Sequence, residues 1–76
     1  MRDPLDTFAS NLRRVRLQRE LSQERLAHAA SLNMTHVAKI ERSEREPGGR
    51  TVSKLASALG VSAAELFEGI DGRQTP

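Results

Sequence analysis

Residues 21–42 read LSQERLAHAASLNMTHVAKIER, and this stretch decides the fold. Two of its polar residues, Ser22 and Asn33, can each cap the N-terminus of a helix. A leucine precedes each cap, and an apolar residue follows four positions into the helix, which is the hydrophobic staple arrangement. The pattern therefore predicts two helices, over about residues 23–30 and 34–42.

The short connection between these two helices predicts a steep angle between them, as in a helix-turn-helix. Such a unit needs apolar side chains at fixed offsets and a small side chain where the helices cross. When Gln23 is counted as the first residue, the sequence fills these positions with Leu26, Ala27, Ala30, Leu32, Val37 and Ile40. Six spaced positions fit together, so the pattern is specific for this unit.

A further helix is predicted before the unit, beginning near residues 4–6 and ending near Arg19. Its apolar residues recur at spacings of three and four and so share one face. Either Asp6 caps this helix or Pro4 occupies its first turn. The pattern leaves both alternatives open.

Two more helices are predicted after the unit. One runs from about Arg50 to Leu59 and ends at Gly60, which suits the left-handed position after a helix. The other follows Ser62, which can form a capping box with Glu65. The sum is an all-α fold of five short helices with the helix-turn-helix at the second and third.

Length and composition exclude several classes of protein. The 76 residues make one small domain, predicted over residues 1–70 with a polar tail at 71–76. There is no Cys and there are only two His, so we expect no disulfide, no metal site and no cofactor. The apolar runs are too short to span a membrane. We expect a cytoplasmic protein without a membrane partner, and no catalytic constellation is present.

The basic charge is unevenly distributed along the chain. The net charge is only +2. Residues 1–42 carry eight basic and five acidic side chains, whereas residues 43–76 carry four and five. The surplus therefore lies in the half that holds the helix-turn-helix, which favours a nucleic-acid partner.

Three segments resemble the Cro and phage-repressor type of helix-turn-helix, also called the xenobiotic-response-element family. They are LSQERLA at 21–27, VAKIERSEREP at 37–47 and LASALGVS at 55–62. The resemblance covers roughly residues 8–67. It implies a lambda-repressor-like domain of a transcriptional regulator that binds double-stranded DNA as a homodimer. The third helix would lie in the major groove of a two-fold operator.

The resemblance also implies roles for individual residues. The base-reading positions are Met34, Thr35 and Lys39, and His36 lies in the first turn of the same helix. Contacts to backbone phosphates are assigned to Ser22, Gln23, Arg42, Arg45, Arg50 and Arg13. Arg16 and Glu41 match a pair that forms a buried salt bridge in the family.

Several residues depart from the family pattern. Ser31 and Ser43 stand where glycine is usual, and a left-handed backbone there costs a non-glycine residue about 1–2 kcal/mol. Glu44 and Glu46 bring acid into a loop that often contacts phosphates. Met34 cannot donate a hydrogen bond, so it could pack against a thymine methyl group or between helices.

Two questions of partnership stay open at this stage. Leu66, Phe67 and Ile70 could form a two-fold contact with a second copy, or they could only complete the core of a monomer. The alternative function is a protein-interaction adaptor or antitoxin-like module, in which the same helix-turn-helix face holds a protein regulator. Exposed methionine suits such adaptable surfaces.

Overall fold

The computed structural model describes residues 3–68, and these residues form five α-helices without a strand. The helices are α1 (Pro4–Gln18), α2 (Gln23–Ala29), α3 (Met34–Glu41), α4 (Gly49–Leu59) and α5 (Ala63–Leu66). The predicted all-α fold with the helix-turn-helix at α2 and α3 is confirmed. The predicted domain boundary after residue 70 lies outside the described residues.

Polar side chains cap the N-termini of α2, α3 and α5 as the sequence predicts. The Ser22 hydroxyl accepts the Arg25 N–H at 3.0 Å, and Asn33 Oδ1 accepts the Thr35 N–H at 2.7 Å. Ser62 forms a complete capping box with the glutamate three residues later. Each cap satisfies N–H groups that have no partner inside the helix.

The structure decides between the two alternatives for the start of α1, Asp6 as the cap or Pro4 in the first turn. Asp3 caps the helix, because its Oδ1 accepts the Leu5 N–H at 2.7 Å. Pro4 occupies the first turn, and Asp6 lies within that turn, where a negative charge suits the helix dipole. A proline at the first helical position makes the preceding residue the cap, so Asp6 is not the cap.

Four helices end in the same kind of turn, with a left-handed residue after the helix. These residues are Glu20, Ser31, Ser43 and Gly60, with φ of 58°, 57°, 61° and 73°. In the turn after α2, for example, the Leu32 N–H donates to the Ala27 carbonyl at 2.8 Å. This pattern is the Schellman motif. The two serines therefore keep the turn that glycine usually makes, at a cost of about 1–2 kcal/mol each.

One apolar core holds the helices together. Its side chains come from α1 to α5 and include the predicted offsets of the helix-turn-helix, with Leu26, Val37 and Ile40 fully buried. The Leu32 side chain is partly buried against this core. The short α2–α3 connection and the small Ala27, only 2% exposed, let the two helices cross closely. Of the helices between residues 3 and 68, none combines the length and apolar character needed to cross a membrane.

Asn11 is a buried polar residue that ties α5 to α1. Its Nδ2 donates to the carbonyl oxygens of Leu66 and Glu68, both at 3.0 Å. These bonds satisfy carbonyl groups at the end of α5, which is too short to be stable alone. The position of α5 therefore depends on α1.

Candidate nucleic-acid interface

The third helix presents one face to the core and the other to the outside. Val37 and Ile40 are fully buried. Among the predicted base-reading residues, Thr35 and Lys39 are exposed and His36 is half-buried. Met34 is 50% exposed, so packing between helices accounts for only part of its surface. The open face of α3 thus carries a cation, a hydroxyl and a thioether, which suit contacts to base edges and methyl groups in a major groove.

A buried network fixes α3 to α1 and α2. The guanidinium of Arg16 donates to both carboxylate oxygens of Glu41, from Nε at 2.7 Å and from Nη2 at 3.0 Å. Its Nη1 donates to the Leu21 carbonyl at 2.8 Å. The side chains of Arg16 and Glu41 are 10% and 3% exposed. The predicted pair is therefore in contact, and the fork-to-fork geometry orients α3 relative to α1.

Glu41 also holds Gln23, which sequence reasoning did not foresee. Gln23 Nε2 donates to Glu41 Oε1 at 3.0 Å. A side-chain amide has two hydrogens, so this bond uses one donor and fixes the direction of the other. Gln23 is the first residue of α2, next to the exposed cap Ser22. Both residues lie where the free N–H groups of a helix attract a phosphate.

The four arginines predicted to contact phosphates are all exposed: Arg13, Arg42, Arg45 and Arg50. The structure brings Arg13 and Arg42 together at a shallow cleft of about 260 Å³ between α1 and the end of α3. Arg45 lies in the loop before α4, and Arg50 lies in the first turn of α4. The structure therefore brings two of the four arginines, Arg13 and Arg42, to one cleft, whereas Arg45 and Arg50 follow the turn after α3.

Arg42 is engaged by a carboxylate of its own chain. Its Nε and Nη2 donate to the two carboxylate oxygens of Glu44, at 3.0 and 3.1 Å. Both side chains are more than half exposed. The hydrogen bonds from Arg42 hold the pKa of the Glu44 carboxyl below its ordinary value, and the charges of Arg42 and Lys39 act in the same direction. Glu44 is therefore ionised at neutral pH.

The three residues predicted for a dimer contact differ in position. Leu66 is fully buried in the core of the single chain, so its side chain cannot also form a contact between chains, and that part of the prediction is wrong. Phe67 is 42% exposed, with its ring centre 5.0 Å from that of Phe8. Ile70 lies outside the described residues. Within the described residues, Phe67 is therefore the only one of the three whose side chain is exposed enough to contact a second copy.

The basic run on α1 has several separate structural roles. Arg16 belongs to the buried network, whereas Arg19 Nε donates to the Leu59 carbonyl at the end of α4, at 3.0 Å. Arg14 Nη2 donates to Asn11 Oδ1 at 3.2 Å. Sequence reasoning missed the roles of Arg19 and Asn11. Spacing gives a signal only for Asn11, which lies three residues after Phe8 and four before Val15, on the buried face of α1.

Comparison with known proteins places this geometry among DNA-binding regulators. A helix-turn-helix family model matches residues 12–66, well over half of the chain. The control protein C.BamHI of Bacillus amyloliquefaciens is 34% identical over 62 residues, which is 80% of this chain and 76% of that protein.

Two solved structures have the same fold. The crystal structure of the restriction-modification controller protein C.AhdI from Aeromonas hydrophila matches with a TM-score of 0.81 and 38% identity, covering 83% of this chain and 96% of that one. The controller protein C.Esp1396I, solved as a tetramer with its natural 35 base-pair operator, matches with a TM-score of 0.81 and 26% identity. That match covers 92% of each chain.

Proposed function

The chain belongs to the Cro and phage-repressor type of helix-turn-helix family, and on this premise we propose that it acts as a homodimer on a two-fold operator. Proteins of this family are sequence-specific DNA-binding transcriptional regulators and not enzymes. The proposed site of action is the nucleoid in the cytoplasm. The observation that carries the proposal is the open face of α3, held in place by the buried Arg16–Glu41 pair.

In the proposed complex α3 lies in the major groove with its exposed residues against base edges. The ammonium group of Lys39 would donate to the acceptor atoms O6 and N7 of a guanine. Thr35 would hydrogen-bond a base edge, and Met34 would pack against a thymine methyl group. His36, which is half-buried, contributes from the first turn of α3. These contacts are the ones that read sequence.

Contacts to phosphates position the domain and carry no sequence information themselves. The N-terminus of α2, with Ser22 and Gln23, binds one phosphate through its N–H groups and the second amide hydrogen of Gln23. Arg13 and Arg42 bind at the cleft between α1 and α3. The remaining proposed contacts come from Arg45 and Arg50.

The proposed dimer uses the exposed ring of Phe67 near the apolar start of α1. Phe67 lines a groove with Pro4, Leu5 and Phe8. Burial of this apolar surface would favour association, and a two-fold pair would place the two copies of α3 about 34 Å apart, one turn of DNA. The operator-bound tetramer of C.Esp1396I supports oligomeric binding in a relative.

The proposal is tested by selecting bound sequences from a random DNA pool. The expected result is enrichment of two symmetric half-sites whose centres are about one helical turn apart. Binding of a labelled selected duplex should weaken as salt increases. A plot of the logarithm of the binding constant against the logarithm of the salt concentration should have a slope near −0.9 for each phosphate contact. A pool that shows no enrichment, although the protein is folded, would contradict the proposal.

Lys39→Ala and Gln23→Ala separate the proposed base and phosphate roles. Lys39→Ala should make the free energy of binding to the selected duplex less favourable by about 1–3 kcal/mol. It should also weaken the preference for one base at a single position of the half-site. Gln23→Ala should weaken selected and random duplexes alike. Fluorescence anisotropy with both duplexes measures the difference, and thermal melting checks that each variant is folded.

The same variants test the adaptor alternative and the proposed protein regulator. A stoichiometric protein partner in a purification, combined with normal DNA binding by Lys39→Ala and a changed complex with that partner, would assign the open face of α3 to protein binding. Loss of DNA binding by Lys39→Ala would assign it to DNA.

A further inference from the structure

The turn after α3 folds the chain back over the last turn of the recognition helix. Ser43 adopts the left-handed conformation with φ of 61°. The Glu44 N–H then donates to the Lys39 carbonyl at 2.8 Å. This backbone bond fixes where the Glu44 side chain begins, next to the end of α3. The position is therefore set by the turn and not only by the side chains.

The Glu44 carboxylate accepts hydrogen bonds from the Arg42 guanidinium in the way that a phosphate would. Two parallel N–H···O contacts, at 3.0 and 3.1 Å, join the two groups. Arginine binds carboxylate and phosphate through this same two-pronged geometry. The Glu44 carboxylate also lies close enough to Lys39 for the two charges to interact. Only Arg42, which is assigned above to a phosphate, is hydrogen-bonded to this carboxylate.

We propose that Glu44 competes with DNA phosphate for Arg42 and so weakens binding to every DNA sequence alike. The inference rests on the proposed function, because it needs Arg42 to face the backbone of the duplex. When DNA arrives, Arg42 must leave Glu44 before it can bind a phosphate. Breaking the Arg42–Glu44 contact lowers the affinity, and this cost does not depend on base identity.

Exposure makes this competition reversible. The side chains of Arg42 and Glu44 are 55% and 53% exposed, so water and salt screen their attraction. Exposed pairs of this kind change an equilibrium by roughly 1.4- to five-fold. In a dimer the effect acts once in each subunit, so the combined change is roughly two- to twenty-five-fold. Glu44 therefore moderately lowers the affinity of the protein for the phosphate backbone of DNA, while the exposed residues of α3 discriminate between base sequences.

The test compares Glu44→Gln with a matched control, Glu46→Gln. Both variants remove one negative charge from the same exposed loop, but only Glu44 contacts Arg42. Anisotropy is measured with two fluorescein-labelled duplexes of about 30 base pairs, long enough for two half-sites. One duplex has a random sequence and the other carries the selected sequence. Melting curves establish that the variants are equally folded.

Glu44→Gln is expected to bind both duplexes more tightly, by roughly two- to twenty-five-fold, with the ratio between their affinities unchanged. Glu46→Gln should gain clearly less. In an Arg42→Ala background the advantage of Glu44→Gln should largely disappear, because there is no guanidinium left to release.

Three results would overturn the inference. Equal gains for Glu44→Gln and Glu46→Gln would mean that only the net charge of the loop matters. An undiminished gain in the Arg42→Ala background would mean that Glu44 acts without Arg42. A changed ratio between the two duplexes would place Glu44 in base recognition. Failure of the unaltered protein to bind either duplex would instead reject the proposed function itself.

Discussion

Two arginine–glutamate pairs meet at the end of α3, on either side of one peptide bond. Glu41 pairs with Arg16 of α1, and their side chains are 3% and 10% exposed. Arg42 pairs with Glu44, two residues later, and their side chains are 55% and 53% exposed. The chemical groups are the same and both contacts are bidentate. The pairs differ in burial and in how far apart their partners lie in the sequence.

This difference separates a structural ion pair from an exchangeable one. Removing one partner of a buried pair leaves the other charged and without compensation, so the pair must remain closed for the fold to hold. An exposed pair can open because water replaces its hydrogen bonds. The first pair therefore positions the recognition helix, and the second remains available for exchange with a ligand.

The largest expected effect follows from breaking the buried pair. Arg16→Ala should lower the free energy of unfolding by about 3–5 kcal/mol, because it leaves the Glu41 carboxylate buried without its partner. Chemical denaturation followed by circular dichroism measures the change. A loss no larger than that of Arg42→Ala would show that burial does not distinguish the two pairs.

A loss of about 3–5 kcal/mol is comparable to the whole stability of a small domain, so a second variant keeps the comparison measurable. The double variant Arg16→Met, Glu41→Leu replaces both charges with apolar groups of similar length. Such replacements are often neutral or stabilising. It should therefore be clearly more stable than Arg16→Ala. If the double variant were as unstable as the single one, shape rather than charge would explain the loss.

A smaller effect is expected at the turn that joins Arg42 to Glu44. Ser43 has a left-handed backbone conformation. Replacing it with glycine removes the steric cost of its Cβ, so Ser43→Gly should raise the free energy of unfolding by about 1 kcal/mol. For a domain of this size that gain corresponds to a rise of about 4–8 °C in the melting temperature. Ser31→Gly, in the equivalent turn after α2, is the matched variant and should behave alike. A fall in melting temperature for either variant would contradict the backbone explanation.

The smallest effect concerns the pH dependence of the exposed pair. The hydrogen bonds from Arg42 lower the pKa of Glu44 below its ordinary value of 4.5. A lowered folded-state pKa means that the pair contributes to stability above the unfolded pKa, and that this contribution is lost as the pH falls through the folded pKa. NMR titration of the Glu44 carboxyl carbon should show the lowered midpoint, and Arg42→Ala should raise it. An unchanged midpoint in that variant would separate the pKa shift from the Arg42 contact.

Local sequence patterns predict the helices and most of their ends. Ser22, Asn33 and Ser62 cap helices as expected, because a cap involves only residues two or three positions away. Gly60 has the predicted left-handed backbone for the same reason. At the start of α1 the sequence pattern leaves Asp6 and Pro4 open. The structure confirms Pro4 in the first turn, and the cap is Asp3, which directly precedes it.

The candidate site is less completely predicted than the fold. The resemblance to the family indicates the pair of Arg16 and Glu41, but the bond from Gln23 to the same carboxylate becomes visible only when three helices are packed together. The pairing of Arg42 with Glu44 is local, yet it depends on the turn at Ser43. The assignment of Leu66 to a dimer contact fails because an apolar residue near a chain end can face either the core or a partner.

The sequence by itself determines the five helices and the helix-turn-helix, because caps, staples and apolar spacing act over a few residues. Only the tertiary structure decides what each charged residue does. Arg16 closes a buried network, Arg19 binds the end of α4, and Arg42 holds an exposed carboxylate. These arginines have the same chemistry. Their roles differ because packing sets which carbonyl or carboxylate Arg16 and Arg19 reach and how much water surrounds each contact, whereas the turn at Ser43 brings Glu44 to Arg42.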